Sequence, residues 1–297
     1  MSKPKIFCVV GPTASGKTAF AIALAEKMQG EVVSCDSMQI YRGMDIGTAK
    51  PTKEEMRGIP HHMLDIVSPE ENFSVADFVA GATQVIEEIL SRGKMPILCG
   101  GTGLYVDSIL NGISFSEEAR DDAYRQELKA LADAEGVEAV HRILMQADPD
   151  AAAEIHPNNV KRVIRALEII KTSGKTKAEF DRDARKESPY DATVYGMYLE
   201  REKLYRRIDL RVDMMMQQGL LDEVKELLNQ GISMQATAMQ AIGYKEFSAY
   251  LQGECTLEDA VETVKRESRR YAKRQMTWFR RNPDILWIHP LTDIKLL

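Results

Sequence analysis

Residues 11–18 match the phosphate-binding pattern GxxxxGK followed by Ser or Thr, and they lie between an apolar run and a helical pattern. Glycine allows backbone N–H groups to curve around phosphate oxygens, and a helix N-terminus adds partial positive charge. Lys17 would contribute a point charge, and the Thr18 hydroxyl could ligate Mg²⁺. The motif predicts a di- or triphosphate ligand but establishes neither ATP nor phosphoryl transfer. Its residues are Gly11, Pro12, Thr13, Ala14, Ser15, Gly16, Lys17 and Thr18.

Two further polar segments follow apolar runs that have the character of strands. Asp36 comes directly after residues 32–35, and the glycine-rich residues 100–103 come directly after residues 96–99. In an open parallel sheet, ligands bind beyond the carboxyl ends of the strands, so both segments are candidates for one site. Asp36 could be a magnesium carboxylate, a general base or a turn former. The glycine-rich residues could be a second phosphate cradle or only a tight turn.

A basic segment contrasts with the acidic charge of the whole chain. The chain carries 39 Lys and Arg against 45 Asp and Glu, a formal net charge of −6, whereas residues 265–281 hold eight cations and one carboxylate. Tyr271, Trp278 and Phe279 lie among these cations. Cations for phosphates and aromatic rings for base stacking are typical of nucleic-acid binding. The alternative is an ordinary packed helix with a solvated charged face.

The elements that must position these residues alternate between strand and helix over the first 115 residues. This alternation predicts an α/β fold with a parallel sheet covered on both faces. Strands are predicted at residues 6–10, 31–35, 63–67, 95–99, 193–199 and 285–289. Helices are predicted at residues 18–28, 74–91, 201–218, 220–230 and 256–281. Ser74 and Asp77 form a capping box at the start of the second helix.

Residues 117–182 differ from the rest because they show helical periodicity without a convincing strand. Helix breaks are expected at Gly136, Gly174 and the prolines Pro149 and Pro157. The simplest organisation is one α/β core, residues 1–115 and 190–297, interrupted by an all-helical insertion, residues 116–189.

Composition excludes a disordered or collagen-like chain, since 44% of the 297 residues are hydrophobic and 28% are charged. The four cysteines are widely spaced and form no CxxC pair, which favours buried thiols in a reducing compartment. The N-terminal apolar run is too short for a signal peptide or a membrane span. We therefore expect a cytoplasmic protein that does not associate with membranes.

Taken together, these motifs resemble the tRNA dimethylallyltransferases (tRNA isopentenyltransferases) of the bacterial type. The matching blocks are GPTASGKT (11–18), DSMQIYRGMDIGTAKP (36–51), HHMLDIV (61–67), FSVADF (73–78), GGTGLY (100–105), HPNNVKRVIRALEI (156–169), RRIDLRVDMM (206–215), QAIGYKEF (240–247) and RRYAKRQMTWFRR (269–281). The blocks extend over nearly the whole chain in the family's order, so the resemblance is specific. The sequence shows no Cys/His zinc element like that of the eukaryotic form.

The resemblance implies a P-loop NTPase-like parallel sheet flanked by helices, with an inserted all-helical domain. It implies transfer of a dimethylallyl group from dimethylallyl diphosphate to N6 of an adenosine, with release of diphosphate. That adenosine lies 3′-adjacent to the anticodon in tRNAs that read codons beginning with U. The expected partners are the tRNA anticodon stem-loop and dimethylallyl diphosphate, with Mg²⁺ as cofactor and the chain as a monomer.

The resemblance also implies roles for individual residues. Asp36 matches the carboxylate that takes a proton from the amine, and Thr102 and Arg211 match residues that contact the diphosphate and the reaction centre. Lys17 and Thr18 would complete the ligation of phosphate and magnesium. Residues 36–39 would recognise the adenine after it leaves its stack. The residues implied in tRNA binding are Asp36, Ser37, Met38, Gln39, Thr102, Arg125, Lys161, Arg162, Arg165, Arg270, Lys273 and Arg274.

The insertion is implied to close over the anticodon loop, although its cations could equally be surface charges. Three other functions are considered: a small-molecule kinase, a non-catalytic RNA-binding protein, and an enzyme that prenylates free adenine nucleotides. The basic segment and the insertion argue against the kinase and the free-nucleotide enzyme. Asp36 and Thr102 beside the phosphate loop argue against a non-catalytic protein.

Overall fold

The computed structural model of the chain describes residues 2–113, 121–184 and 187–290. The chain divides into two compact units, Met1–Leu110 with Ser188–Leu297, and Asn111–Glu187. The limits expected from the sequence for the insertion, residues 116 and 189, differ from these by a few residues, and residue 116 lies outside the described residues. Each unit has its own hydrophobic core.

The first unit is built on a six-stranded parallel sheet. Its strands are β1 (Lys5–Val10), β2 (Gly30–Ser34), β3 (His61–His62), β4 (Met95–Gly100), β5 (Asp191–Met197) and β6 (Leu286–Ile288). Their order is β3-β2-β4-β1-β5-β6, and every neighbouring pair is parallel. Val10 is in register with Gly100, and Ser34 with Cys99. The carboxyl ends of β1, β2 and β4 therefore lie side by side, at the edge where open parallel sheets bind ligands.

Helices cover both faces of this sheet. The helices of this part of the chain are α1 (Lys17–Met28), α2 (Lys53–Met56), α3 (Val75–Ser91) and α4 (Gly103–Leu110). Of these, α1, α3 and α4 pack on the sheet, whereas the four-residue α2 has no buried residue. Ile6, Cys8 and Val10 of β1 pack in a cluster with residues of α3 and α4, whereas Phe7 and Val9 pack with residues of α1. Because alternate residues of a strand point to opposite faces, a strand with helices on both sides is apolar throughout. The capping box of Ser74 and Asp77 begins α3, as predicted.

The predicted strand at residues 63–67 is wrong, because the pairing lies two residues earlier. His61 and His62 pair with Val32 and Val33. Met63 and Asp65 have φ of 60° and 55°, a left-handed conformation that cannot continue an extended strand. Met63 is 5% exposed and packs in a cluster with residues of α3, whereas Ile66 is exposed.

The second unit consists of helices among the residues described. They are α5 (Asp122–Glu135), α6 (Val137–Ala147), α7 (Pro149–Glu154), α8 (Val160–Ser173) and α9 (Lys177–Ala184). The turns between them fall at the predicted Gly136, Pro149, Pro157 and Gly174. Asp148 caps α7 by accepting from the Ala151 N–H, and its second oxygen accepts from the Lys177 N–H at 2.9 Å. One carboxylate thus holds α7 to the start of α9.

The C-terminal part of the first unit adds α10 (Arg201–Gln217), α11 (Leu220–Asn229), α12 (Ser248–Leu251) and α13 (Leu257–Phe279). A capping box of Thr256 and Asp259 begins α13. One face of α13 is buried, including Val264, Ala272 and Phe279. Among the helices described, none has both the length and the hydropathy needed to cross a membrane.

Candidate active site

The phosphate loop joins the end of β1 to the start of α1, as its pattern predicts. Gly11 and Gly16 have φ of 141° and 95°, which favour glycine, and Ala14 is also left-handed at 60°. Gly16 is the N-cap of α1, so the unpaired N–H groups of the first helical turn lie at the loop. The Lys17 ammonium donates to the Pro12 carbonyl at 2.7 Å. The loop therefore has the backbone form that surrounds a phosphate.

A cavity of about 340 Å³ lies at the carboxyl ends of the strands. The predicted site residues that line it are Thr13, Lys17, Thr18, Asp36, Ser37, Met38, Gln39, Arg211 and Arg274. Apolar side chains from α10 and α13 also line it, namely Ile208, Val212, Met215 and Val264. The cavity can thus hold a ligand that is charged at one end and hydrocarbon at the other.

Two cations and one carboxylate interact across this cavity. Burial lowers the pKa of Lys17 to about 8, with Arg211 acting in the same direction and Asp36 opposing it. Burial also lowers the pKa of Arg211, and Asp36 again acts against the shift. Both cations lose water contacts while carrying like charges, so an anionic ligand here would be strongly favoured.

The Asp36 segment is fixed by hydrogen bonds to its own backbone and to Thr102. Asp36 Oδ1 accepts from the Met38 N–H at 2.9 Å, which is the bond of a turn former. Thr102 Oγ1 accepts from the Ser37 N–H at 3.0 Å and lies 3.3 Å from the Ser37 hydroxyl. Asp36 therefore makes a turn and lines the cavity at once, so its other two interpretations stay compatible with the structure. Thr102 holds the residue that follows Asp36.

The glycine-rich turn after β4 is shaped by close packing. A Cβ on Gly100 would lie 2.1 Å from the Cys35 carbonyl oxygen, and one on Gly103 would lie 2.2 Å from the Trp278 ring. A Cβ on Gly101 would lie 2.1 Å from Gln275 Nε2. Of the two interpretations left open by the sequence, the tight turn accounts for all three glycines.

Gln275 is a site residue that the sequence did not single out. Its side chain is 5% exposed, its Oε1 accepts from the Thr13 N–H at 2.9 Å, and its Nε2 donates to the Gly101 carbonyl at 2.9 Å. Tyr271, one turn earlier on α13, also lines the cavity, and burial raises its pKa to about 12. The available signal was a neutral amide side chain directly after the cations Lys273 and Arg274. Gln275 joins the phosphate loop to the glycine-rich turn.

A sequence model of the IPP transferase family matches residues 39–282. The tRNA dimethylallyltransferase of Halalkalibacterium halodurans is 53% identical over 98% of this chain and 93% of its own length. The tRNA dimethylallyltransferase of Bacillus subtilis is 50% identical over 99% and 94%. This chain belongs to the tRNA dimethylallyltransferase family.

Solved structures agree with this membership. The full-length tRNA isopentenylpyrophosphate transferase of Bacillus halodurans superposes with a TM-score of 0.73 at 51% identity, covering 97% of this chain and 90% of that one. A eukaryotic dimethylallyltransferase acting on tRNA superposes with a TM-score of 0.82 at 32% identity, covering 97% and 74%. The P-loop NTPase-like fold expected from the resemblance is therefore confirmed.

In this member of the tRNA dimethylallyltransferase family, the basic residues of α13 fall into two groups. Arg274 lines the cavity, with its guanidinium 5.6 Å from the centre of the Tyr271 ring, and Lys273 is exposed. Other cations face carboxylates of the same unit: Lys265 lies 2.8 Å from Asp213, Arg269 pairs with Asp209, and Arg270 lies 2.7 Å from Glu267. The positive potential of the helix is therefore concentrated toward its C-terminal half.

The aromatic residues of α13 do not all face solvent as a stacking role would require. Phe279 is 2% exposed within the core between the sheet and α3, so the prediction that it stacks on a nucleic acid is wrong. Trp278 is half-buried, and its Nε1 donates to Asp107 at 2.8 Å. The helical spacing that buries Gln275 also buries Phe279, because the two are one turn apart.

The four cations predicted to bind tRNA in the second unit have different surroundings. Arg125 forms two hydrogen bonds of 2.7 Å to Glu168, and Arg165 forms one of 2.5 Å. The Glu168 side chain is fully buried. Burial raises its pKa, but the bonds from Arg125, the Asp121 N–H and Arg165 outweigh this and hold the pKa below its usual value. Arg125 thus links α5 to α8, Arg165 pairs with Glu168 within α8 itself, and Lys161 and Arg162 are exposed.

Proposed function

We propose that this chain transfers a dimethylallyl group from dimethylallyl diphosphate to N6 of the adenosine 3′-adjacent to the anticodon in tRNAs that read codons beginning with U, and releases diphosphate. The observation that carries the proposal is one cavity lined by Lys17, Arg211 and Asp36 in a chain of the tRNA dimethylallyltransferase family. It supports the proposal because two cations suited to a diphosphate and a carboxylate suited to accept a proton line the same cavity.

Lys17 and Arg211 act on the leaving group. Breaking the C–O bond of the donor increases negative charge on the diphosphate, so cations already in place bind it more tightly in the transition state than in the ground state. The N–H groups at the start of α1 add to this effect. The apolar side chains of Val212, Met215 and Val264 suit the hydrocarbon part of the donor.

Asp36 acts on the acceptor. The exocyclic amine of adenine is a weak nucleophile because its lone pair is delocalised into the ring. A carboxylate that accepts the N6 proton as the new C–N bond forms removes the positive charge that would otherwise build up. Since the target atom is inaccessible in a stacked base, the adenine must leave its stack to reach the cavity.

Mg²⁺ bound with the diphosphate would neutralise part of its charge. In the parts of the chain that the structure describes, no group of three or more His, Cys, Asp or Glu could hold a metal ion without the substrate. The Thr18 hydroxyl and the Asp36 carboxylate line the cavity and are oxygen donors of the kind that Mg²⁺ accepts beside a phosphate. We assign Thr18 as the residue that would hold the ion.

The decisive experiment supplies the protein with dimethylallyl diphosphate, Mg²⁺ and total tRNA, and then analyses the nucleosides by mass spectrometry. We expect a prenylated adenosine at the position after the anticodon, and none in a tRNA that carries guanosine there. ATP in place of the prenyl donor should give no ADP. Steady ADP release with a small acceptor, without prenylated adenosine, would identify a kinase and overturn the proposal.

A further inference from the structure

The Glu223 carboxylate of α11 accepts hydrogen bonds from three consecutive backbone N–H groups. Oε2 accepts from Asp45 and Ile46 at 2.8 Å each, and Oε1 accepts from Gly47 at 3.0 Å. Oε1 also accepts from the Tyr244 hydroxyl at 2.6 Å. Bonds between an ionised carboxylate and N–H donors are stronger than those between neutral groups. Glu223 therefore fixes a segment that is remote from it in sequence.

Tyr244 contacts both Glu223 and the segment that Glu223 holds. The side chain is fully buried, and burial together with Glu223 raises its pKa far above the usual value, so the hydroxyl keeps its proton and donates. A Cβ on Gly47 would lie 2.4 Å from the Tyr244 ring, which explains why glycine occupies this position. The Tyr244 side chain and the carboxylate are thus hydrogen-bonded to each other, and both contact the segment.

The segment continues directly into the lining of the cavity. The carbonyls of Thr48 and Ala49 each accept from Gln39 Nε2 at 3.2 Å, and Gln39 Oε1 accepts from the Ser34 hydroxyl at 2.9 Å. The Gln39 amide is thus engaged with the protein at both ends. Gln39 follows the turn that Asp36 forms, and both line the cavity.

We propose that Glu223 is a positioning residue, whose contact with residues 45–47 places the Thr48 and Ala49 carbonyls so that they hold Gln39 and thereby orient the Asp36 turn. The kinetic consequence rests on the proposed prenyl transfer. The consequence for backbone order does not, because it follows from the hydrogen bonds alone.

Replacing the carboxylate by an amide tests the proposal sharply. In Glu223→Gln, an NH₂ group would face N–H donors, or the Tyr244 hydroxyl, that need an acceptor. We expect the single-turnover rate of prenyl transfer to fall about 10- to 100-fold, the size of effect that small misplacements produce. The affinity for dimethylallyl diphosphate should change by less than about threefold, because the Lys17 contacts are separate. Tyr244→Phe should show a smaller loss, since the three N–H bonds remain.

Glu226→Gln is the matched control on the same helix. Glu226 is exposed and accepts from Gln230 Nε2 at 2.9 Å, away from residues 45–47. Its rate should equal that of the wild type. If Glu223→Gln and Tyr244→Phe both lose rate in proportion to their loss of thermal stability, the role of Glu223 is merely structural. That outcome would overturn the proposal.

Hydrogen exchange of the free protein provides a readout that needs no activity. In Glu223→Gln, exchange should accelerate at residues 45–47 and also at residues 37–41, while β1 and β4 stay protected. Acceleration confined to residues 45–47 would overturn the proposal. Suppose instead that the wild-type protein prenylates no tRNA while Glu223→Gln still shows faster exchange at both residues 45–47 and residues 37–41. That result would overturn the proposed prenyl transfer and leave the positioning role of Glu223 intact.

Discussion

At the scale of single residues, Asp36 combines two tasks. One carboxylate oxygen accepts from the Met38 N–H at 2.9 Å, and the side chain still lines the cavity with Lys17 and Arg211. A carboxylate has two oxygens, so one can hold the turn while the other accepts a proton. The geometry therefore permits a substitution that removes the base and keeps the turn.

Asp36→Asn is that substitution, since an amide oxygen can still accept from Met38. We expect the single-turnover rate of prenyl transfer to fall by roughly 10²–10⁴, the usual contribution of a general base. Affinity for tRNA should change little. Rapid-quench kinetics at saturating Mg²⁺ measures the rate. A near-normal rate combined with a large loss of Mg²⁺ affinity would instead identify Asp36 as a metal ligand.

The lowered pKa of Lys17 predicts a pH dependence of donor binding. The ammonium attracts the diphosphate, and in the free protein its pKa is about 8. Bound diphosphate raises that pKa, so the contribution of Lys17 to affinity is constant below pH 8 and falls above it by up to about tenfold per pH unit. Isothermal titration with dimethylallyl diphosphate from pH 6.5 to 9.5 measures this. Lys17→Arg should remove the pH dependence, and an equally steep fall in that variant would contradict the assignment.

At the scale of elements, α13 contributes to two different surfaces. Its buried face includes Gln275, which joins the phosphate loop to the glycine-rich turn, and its other face carries Lys273 and Arg274. Under the proposed function, α13 would therefore fix the position of the tRNA phosphates relative to the phosphate loop. The hydrogen bonds of Gln275 are the part of this connection that a substitution can remove.

Gln275→Leu removes both bonds at similar volume and leaves the Thr13 N–H and the Gly101 carbonyl without their partner. We expect a loss of about 1–3 kcal/mol in the free energy of unfolding, the cost of unsatisfied buried polar groups. The KM for dimethylallyl diphosphate should rise, because the phosphate loop loses a support, while tRNA affinity stays constant. Gln84→Leu, an exposed position on α3, is the control. An unchanged free energy of unfolding and an unchanged KM would show that these two hydrogen bonds contribute neither to stability nor to donor binding.

At the scale of the whole molecule, the chain is acidic on average but has a cationic segment. The chain has a formal charge of −6, yet six of the eight cations of residues 265–281 lie on α13, and those toward the start of this segment face carboxylates. Cations already paired within the protein release few counterions when a polyanion binds. Unpaired cations should therefore dominate the salt dependence of tRNA binding.

Lys273→Ala and Arg274→Ala should each flatten the slope of log affinity for tRNA against log salt concentration by about 0.7–0.9. All tRNAs should be weakened alike, because phosphate contacts carry no base information. Lys265→Ala, on the same helix but paired with Asp213 and Glu262, should leave the slope unchanged. Filter binding over a salt series measures the slopes. Equal slopes in all three variants and the wild type would place tRNA binding elsewhere.

The sequence by itself determined the parts that depend on neighbouring residues. The phosphate loop, the capping box at Ser74 and the helix breaks in the second unit could be predicted, because local backbone preferences decide them. Because the carboxyl ends of parallel strands lie at one edge of the sheet, the sequence also predicted that Asp36 lies near the phosphate loop. The same local reasoning misplaced the third strand, since left-handed residues at 63 and 65 end the extended chain.

Only the tertiary structure decided which remote side chains complete the site. Gln275 bonds to Thr13, 262 residues away, and Glu223 bonds to Asp45, 178 residues away. Likewise, Arg125 is a cation by sequence, but its contact with Glu168 follows from the packing of α5 on α8. The physical reason is that such contacts form when whole elements pack against each other. The sequence around a single Gln, Glu or Arg contains no pattern that predicts its distant partner.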